Sequence, residues 1–140
     1  MPNAPIFIPR TIGEVFDHVI ATDPDRELLV TRSRRFSYAE LDRLANRAAH
    51  ALASLGVRAG DRVGGSLPNE SDVVIAFHGA MRLGAVWVGI NRALAPPEKQ
   101  YLLTDSGTSL LLCDEQIAEQ LRDADGVQVV VIGEGEAEGL

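Results

Sequence analysis

The stretch RVGGSLPNESDVVIAFHGAMRLGAVWVGINRALAPPEKQYLLTDSGTSLLLC, residues 62–113, decides the fold of this chain. Short apolar runs alternate in it with segments whose apolar residues recur at helical spacing. Strands are predicted at 62–67, 85–90 and 109–113, with helices at about 69–83 and 96–106. Gly84 and Gly107 follow the helices, where glycine adopts a left-handed terminus at little cost. This alternation predicts an α/β fold, a mainly parallel sheet flanked by helices.

This stretch also predicts a helix cap and a buried strand. Asn69 precedes the first helix and is predicted to cap its amino end through its side-chain oxygen. The run at 85–90 is apolar throughout, which is typical of a strand buried on both faces.

The alternation extends to both sides of the stretch. Ser37 and Glu40 have the spacing of a capping box, in which each side chain accepts from the other residue's amide, and the predicted helix ends at Gly56. Thr11 and Glu14 have the same spacing and predict a capped helix to about Ala21. The remaining predicted elements are a strand pair at 27–31 and 34–37, a helix capped by Asp114, and a strand at 128–132.

Three regions follow from this pattern. Residues 1–10 carry three prolines and are interpreted as an extended lead-in, residues 11–132 as one subdomain, and residues 133–140 as a flexible acidic tail. The glycines of the tail, at 133, 135 and 139, superficially resemble a phosphate-binding loop. We reject that interpretation because glutamates at 134, 136 and 138 would repel phosphate and no helix follows.

Charge and cysteine content exclude several function classes. Thirteen basic and twenty acidic residues give a net charge of −7, which disfavours binding to nucleic acid or to anionic lipid. Cys113 is the single cysteine, so no internal disulfide can form, and a cytoplasmic location is expected. Neither a signal peptide nor an apolar segment long enough to span a membrane is expected.

No catalytic residue and no metal ligand set emerge from the residues alone. His50 shares a helix face with arginines and is expected to be solvated, whereas His78 is interpreted as a core-edge or pocket-lining residue. Cys113 ends an apolar strand, where a thiol behaves as a small hydrophobe. The serines lack the G-x-S-x-G setting of a nucleophile. The residues alone therefore indicate an α/β domain of unassigned role.

Several motifs, in order, resemble a known family. Phe36-Ser37-Tyr38-Ala39-Glu40-Leu41 is similar to the first core motif of adenylate-forming (AMP-binding) enzymes, and residues 82–91 resemble the second. The resemblance covers roughly residues 10–132. Val88-Gly89-Ile90-Asn91-Arg92 is more similar to the acyl-CoA synthetase or fatty-acid–CoA ligase branch than to peptide synthetases. Gly89 replaces a common proline, and Gly64-Gly65 replace aliphatic residues; both departures are expected to weaken local packing.

The resemblance implies a reaction for a larger protein. ATP and a carboxylic acid give an acyl-adenylate with the help of Mg²⁺, and CoA then displaces AMP to form a thioester. The family's phosphate loop, its aromatic-Gly-x-Thr-Glu motif and its late lysine do not occur in these 140 residues. We therefore expect an inactive amino-terminal fragment whose partners are the remaining subdomains of the parent enzyme.

The resemblance implies a role for one residue. The turn at Asn91-Arg92-Ala93 lies near the CoA nucleotide in related ligases, so Arg92 is a candidate contact for a CoA phosphate. The alternative is an ordinary solvated arginine. For the whole chain, the alternatives are a stand-alone, non-catalytic module that binds an acyl chain or a partner, and an unrelated flavodoxin-like regulator. The last is disfavoured because Asp114 alone poorly matches that class's acidic strand ends.

Overall fold

The computed structural model describes residues 7–133, which form two sheets and five α-helices. An antiparallel pair, β1 (Glu27–Val30) and β2 (Arg35–Ser37), precedes a parallel sheet of four strands. Those strands are β3 (Arg62–Ser66), β4 (Val86–Gly89), β5 (Leu110–Cys113) and β6 (Gln128–Val131), in the order β4-β3-β5-β6. The helices are α1 (Asp17–Thr22), α2 (Tyr38–Ser54), α3 (Ser71–Arg82), α4 (Pro96–Ser106) and α5 (Glu115–Leu121). The predicted α/β fold with a parallel sheet is confirmed.

Side chains of the buried strand β5 divide between two apolar cores. Leu110 and Leu112 belong to the core formed with α2 and α3, whereas Leu111 and Cys113 belong to the core formed with α4 and α5. Successive side chains of a strand point to opposite faces, so this division places the two helix pairs on opposite faces of the sheet. The helices thus form one layer on each side.

The helices α2 and α3 approach each other closely at one glycine. A Cβ built on Gly79 would lie 2.8 Å from the Ala48 Cβ and 3.0 Å from the Ala49 backbone nitrogen. Near this contact, Arg82 forms an ion pair with Asp42, in which Nη1 lies 2.7 Å from Oδ1. The same Nη1 donates to the Asp42 backbone carbonyl at 2.9 Å and to Oδ1 of Asn46 at 2.7 Å. Small residues and a polar clamp therefore hold the two helices together.

One of the two predicted capping boxes is confirmed. The Ser37 Oγ accepts from the Glu40 amide at 3.1 Å, and the Glu40 carboxylate accepts from the Ser37 amide at 2.9 Å. The hydrogen bond from the Ser37 backbone lowers the pKa of Glu40, with a further contribution from Arg34. Both groups stabilise the amino end of α2.

The capping box predicted at Thr11 was wrong. The Thr11 side chain makes no cap, and the Glu14 carboxylate instead accepts from the Arg10 amide at 2.8 Å. Residues Ile12–Glu14 form a 3-10 turn, and α1 begins only at Asp17. This tighter turn brings Phe16 into the core, where its ring meets Tyr38 edge-on with centroids 5.7 Å apart.

Two further local predictions need correction. Glu70, not Asn69, occupies the N-cap position of α3, and it makes no side-chain cap. The strand β4 is not buried on both faces: it lies at the sheet edge, and Val86 is 49% exposed. An apolar run does not tell a central strand from an edge strand, because the order of the strands in the sheet decides which strand is covered. The predicted acidic tail lies, after Gly133, outside the described residues.

Candidate functional site

The topology opens a crevice at the carboxyl ends of β3 and β5. The chain leaves β3 through α3 on one face, and it leaves the neighbouring β5 through α5 on the other. Parallel sheets bind ligands where adjacent strands send their connections to opposite faces. A cleft of about 770 Å³ lies at this end of the sheet. Its lining includes Gly65, Trp87, Arg92, Asn69 and Asn91, together with Arg32, Glu70 and Gln116.

Trp87 forms one wall of the cleft, and Gly65 makes room for it. A Cβ on Gly65 would lie 2.1 Å from the Trp87 Cζ2, so the indole lies directly against the β3 backbone. The Trp87 ring meets the Phe77 ring nearly edge-on, with centroids 5.8 Å apart. Glycine at position 65, where the family commonly has an aliphatic residue, therefore leaves room for this indole. The sequence of the strand alone did not reveal this packing role.

Arg92 lies in the loop after β4, where its side chain is partly exposed and has protein partners. Its Nη2 forms an ion pair with Oδ2 of Asp114 and also donates to Oε1 of Gln116 at 3.3 Å. The side chains of Arg92 and Asp114 are 34% and 22% exposed. The Arg92 Nε is buried and has no hydrogen-bond partner among the described residues. The guanidinium is thus held by a carboxylate but only partly satisfied.

Asp114 has two roles, one for each carboxylate oxygen. Its Oδ2 pairs with Arg92, and its Oδ1 accepts from the Ile117 amide at 3.0 Å. The second contact is the helix cap predicted from sequence, and it is confirmed. The first contact joins the loop after β4 to the end of β5, and it was not foreseen because the two residues are far apart in the chain.

The loop between β4 and α4 has a second connection to α5, through Lys99. Lys99 is 1% exposed, and its ammonium donates to the Leu94 carbonyl and, at 2.8 Å, to Oε1 of Gln120. Within the loop, Oδ1 of Asn91 accepts from the Ala93 amide at 2.9 Å. In the sequence, nothing distinguishes Lys99 from other polar residues in the first turn of a helix. Only the position of α5 identifies it as a buried anchor.

Charges around the cleft are balanced. Arg32 lies 3.7 Å from a Glu70 carboxylate oxygen, and Arg92 pairs with Asp114. Two guanidinium groups thus face two carboxylates, so the cleft presents no free excess of positive charge. A phosphate group that enters must compete for these cations.

The histidine and cysteine candidates are not among the residues that line the cleft. His78 packs against Phe16, with ring centroids 4.4 Å apart, and burial lowers its pKa to about 4 with a contribution from Arg82. It is a core-edge residue, one of the two predicted settings. Burial raises the pKa of the Cys113 thiol to about 11, aided by Asp114 and Glu115. A buried, protonated thiol is unreactive. His50 is exposed, as predicted.

A second, apolar depression lies beside the edge strand β6. We call this depression the β6 groove; its volume is about 360 Å³, and it is lined by Ala48, Ala51, Leu52, Ser54, Leu55, Ala76, Leu112, Val130, Val131 and Ile132. Val131 is exposed in this groove. The unpaired backbone groups of an edge strand next to an apolar surface favour contact with further polypeptide.

Residues 7–133 contain neither a cluster of metal-binding side chains nor a helix suited to a membrane. Across residues 7–133, no three histidine, cysteine, aspartate or glutamate side chains come together in a group that could hold a metal ion. In the same range, no helix combines the length and the apolar character that crossing a membrane requires.

Comparisons with known proteins give a consistent family assignment. The model of the family described as "AMP-binding enzyme" matches residues 16–139. Long-chain-fatty-acid–CoA ligase FadD13 of Mycobacterium tuberculosis is 45% identical over 78 residues, 56% of this chain and 16% of the relative. The 3-hydroxybenzoate–CoA ligase of Aromatoleum sp. is 35% identical over 121 residues, 83% of this chain and 23% of the relative.

The similarity also extends to a peptide synthetase and to solved structures. Tyrocidine synthase 1 of Brevibacillus parabrevis is 32% identical over 126 residues, 89% of this chain and 12% of that protein. The inhibitor-bound N-terminal domain of FACL13 from Mycobacterium tuberculosis is 31% identical, with a TM-score of 0.84 over 92% of this chain and 35% of that chain. This chain spans less than a quarter of the length of the three curated relatives.

Proposed function

We propose that this chain, which belongs to the AMP-binding enzyme family, forms the amino-terminal part of an acid–CoA ligase. The parent enzyme would convert a carboxylic acid and ATP to an acyl-adenylate and pyrophosphate, and then transfer the acyl group to CoA. The observation that carries the proposal is the match over residues 16–139 together with the likeness to an amino-terminal ligase domain. The proposed subdomain comprises residues 11–132.

ATP and Mg²⁺ belong, in this proposal, to other parts of the parent enzyme. Residues 7–133 contain no cluster of three or more histidine, cysteine, aspartate or glutamate side chains that could hold a metal ion. The phosphate loop and late lysine of the family do not occur in the 140 residues. The chain alone is therefore expected to be inactive. The motif at 88–92 favours the ligase branch over the peptide synthetases.

CoA is the ligand for which this chain offers a candidate contact. Arg92 lines the cleft, and its partly satisfied guanidinium has the donor chemistry that a phosphate ester requires. In the described structure, however, that guanidinium pairs with Asp114. The proposed phosphate contact therefore requires Arg92 to exchange one anionic partner for another.

The remaining subdomains of the parent enzyme are the proposed partner of the β6 groove. An unpaired strand edge and an apolar surface meet there, and the chain spans only a small part of its relatives' length. A cytoplasmic location is proposed on composition, because Cys113 has no second cysteine with which to form a bridge.

A second candidate function is a stand-alone module that binds an acyl chain without chemistry. The β6 groove, lined by leucine, isoleucine, valine and alanine side chains, is the observation that favours it. This candidate differs from the first in that the 140-residue chain would itself bind a fatty acid.

ATP–pyrophosphate exchange with a panel of carboxylic acids tests the first proposal. The 140-residue chain is compared with a longer chain read through the downstream DNA, and a longer chain without its phosphate loop serves as the control. Exchange in the intact longer chain alone supports the ligase proposal. No exchange in any of the three, with fatty-acid binding to the 140-residue chain, would favour the binding module.

A further inference from the structure

We propose that Asp114 withholds Arg92 from anionic ligands, so that this carboxylate sets the affinity of the cleft for a phosphate group. The inference rests on the proposed role of Arg92 as a phosphate contact. It makes Asp114 a positioning residue that acts through Arg92.

The position of the pair in the sheet is the first argument. Arg92 follows β4 and Asp114 follows β5, and β3 lies between these two strands. Neighbouring strands are about 4.8 Å apart, so a contact between residues after β4 and β5 must reach across the end of β3. The crevice of the sheet opens at the same place. The Arg92–Asp114 pair therefore lies beside the cleft, and Arg92 forms part of the cleft lining.

The unused donors of Arg92 are the second argument. A guanidinium has five N–H donors in a rigid fork, and the contacts to Asp114 and Gln116 both use Nη2. The Nε is buried and has no partner among residues 7–133. A phosphate oxygen pair matches the fork better than this one-sided contact does, because bidentate binding uses two donors at once. Asp114 and Gln116 thus hold Arg92 in place, but they do not use all of its hydrogen-bond donors.

The two roles of Asp114 can be separated chemically. The cap needs only a side-chain acceptor for the Ile117 amide, and asparagine or serine supplies one as well as aspartate does. The pair with Arg92 needs the negative charge. Asp114→Asn and Asp114→Ser therefore retain the cap while they release the guanidinium.

The exposed neighbour Glu115 provides a matched control. Its carboxylate lies 3.2 Å from Arg122, and both side chains are largely exposed. Glu115→Gln removes one negative charge from the same helix end, as Asp114→Asn does, but it leaves the Arg92 pair intact. An increase in phosphate affinity caused by net charge alone would appear equally in Glu115→Gln and Asp114→Asn.

The experiment titrates the 140-residue chain and its variants with inorganic tripolyphosphate and, separately, with CoA, by isothermal titration calorimetry. Trp87, the only tryptophan and a cleft wall, reports the location of binding by its fluorescence. We expect Asp114→Asn and Asp114→Ser to bind tripolyphosphate about three- to tenfold more tightly than the parent chain, since the competing state is removed. Glu115→Gln should change the affinity by less than about twofold. Arg92→Gln added to Asp114→Asn should abolish the gain.

Four results would overturn the inference. It fails if Asp114→Asn binds tripolyphosphate no more tightly than the parent chain, if Glu115→Gln gives the same gain, or if the gain survives Arg92→Gln. Loss of folding in both Asp114 variants would show that the carboxylate is needed for structure, which also overturns it. A gain for tripolyphosphate without any CoA binding would keep the inference and remove CoA from the proposed function.

Discussion

Two glycines of this protein stand where no side chain fits, and they face different kinds of neighbour. At Gly79 a Cβ would meet the Ala48 Cβ at 2.8 Å and the Ala49 backbone nitrogen at 3.0 Å. At Gly65 a Cβ would meet the far end of the Trp87 indole, at 2.1 and 2.4 Å. The first contact joins two helices of the core layer, and the second forms a wall of the cleft.

The difference shows where this protein can change. A helix backbone can yield only if the whole α2–α3 crossing moves, whereas an indole can rotate about its own χ angles. The helix layer is therefore expected to respond to substitution by losing stability. The cleft edge is expected to respond by changing its shape at a smaller cost.

Gly79→Ala should have the largest effect on stability. The added methyl overpacks the α2–α3 crossing, and the loss outweighs the gain in helix propensity, so the free energy of unfolding should fall by about 2 kcal/mol. Urea denaturation followed by circular dichroism measures this. Adding Ala48→Gly should recover part of the loss by making room, as a double-mutant cycle would show. A fully stable Gly79→Ala chain would mean that the helix layer adapts as easily as the cleft.

Acid should weaken the same helix layer through His78. Because the pKa of His78 is about 4 in the folded chain and about 6.5 when unfolded, the unfolded state binds the proton first as the pH falls. Stability present above about pH 6.5 is therefore lost between about pH 6.5 and 4. This group should cost about 1 kcal/mol between about pH 7 and 5.5. The free energy of unfolding is measured by urea denaturation at several pH values for the parent chain and for His78→Gln, and the difference between the two profiles gives the contribution of His78. Superimposable profiles would contradict the prediction.

The two predicted capping boxes supply a matched pair of substitutions. Ser37→Ala removes an observed cap of α2 and should cost about 1 kcal/mol. Thr11→Ala changes an exposed side chain that makes no cap, so its effect should stay within about 0.5 kcal/mol. Thermal unfolding compares the two. Equal losses would mean that Thr11 contributes in a way that the hydrogen bonds at the first turn do not explain.

Gly65→Ala should cost less stability than Gly79→Ala and should have the clearest effect on the cleft. The indole must rotate away from β3, and we expect a loss of about 1 kcal/mol or less with a shifted Trp87 emission maximum. Gly89→Ala is the control, because its added Cβ would lie 3.7 Å from the indole nitrogen and requires no movement. An unchanged emission maximum in Gly65→Ala, or a loss as large as that of Gly79→Ala, would remove the contrast between the two regions.

Much of the fold was predictable because it depends on neighbours along the chain. The capping box at Ser37, the glycine that ends α4 and the cap of α5 at Asp114 each involve residues a few positions apart. The same local spacing failed at Thr11, where a 3-10 turn leads Phe16 into the core. A local sequence pattern indicates which turns and helices a segment can form, and packing against the rest of the protein decides which of them forms.

The candidate site was much less predictable. Arg92 was identified only through the family resemblance, and neither its pairing with Asp114 nor the burial of Lys99 left any signal in the local pattern. These partners are separated by whole elements of secondary structure. The wall formed by Trp87 over Gly65 joins two strands, and an apolar strand sequence does not specify which strand lies beside it.

The sequence by itself determined the alternation of strands and helices, the parallel sheet and the family, because periodicity, caps and motif order are properties of the chain read in one direction. The tertiary structure alone decided that β4 lies at an edge, that Asp114 reaches Arg92 across the end of β3, and that the cleft carries balanced charge. Strand order sets these features: it brings distant residues within a few ångströms, where burial and Coulomb attraction act.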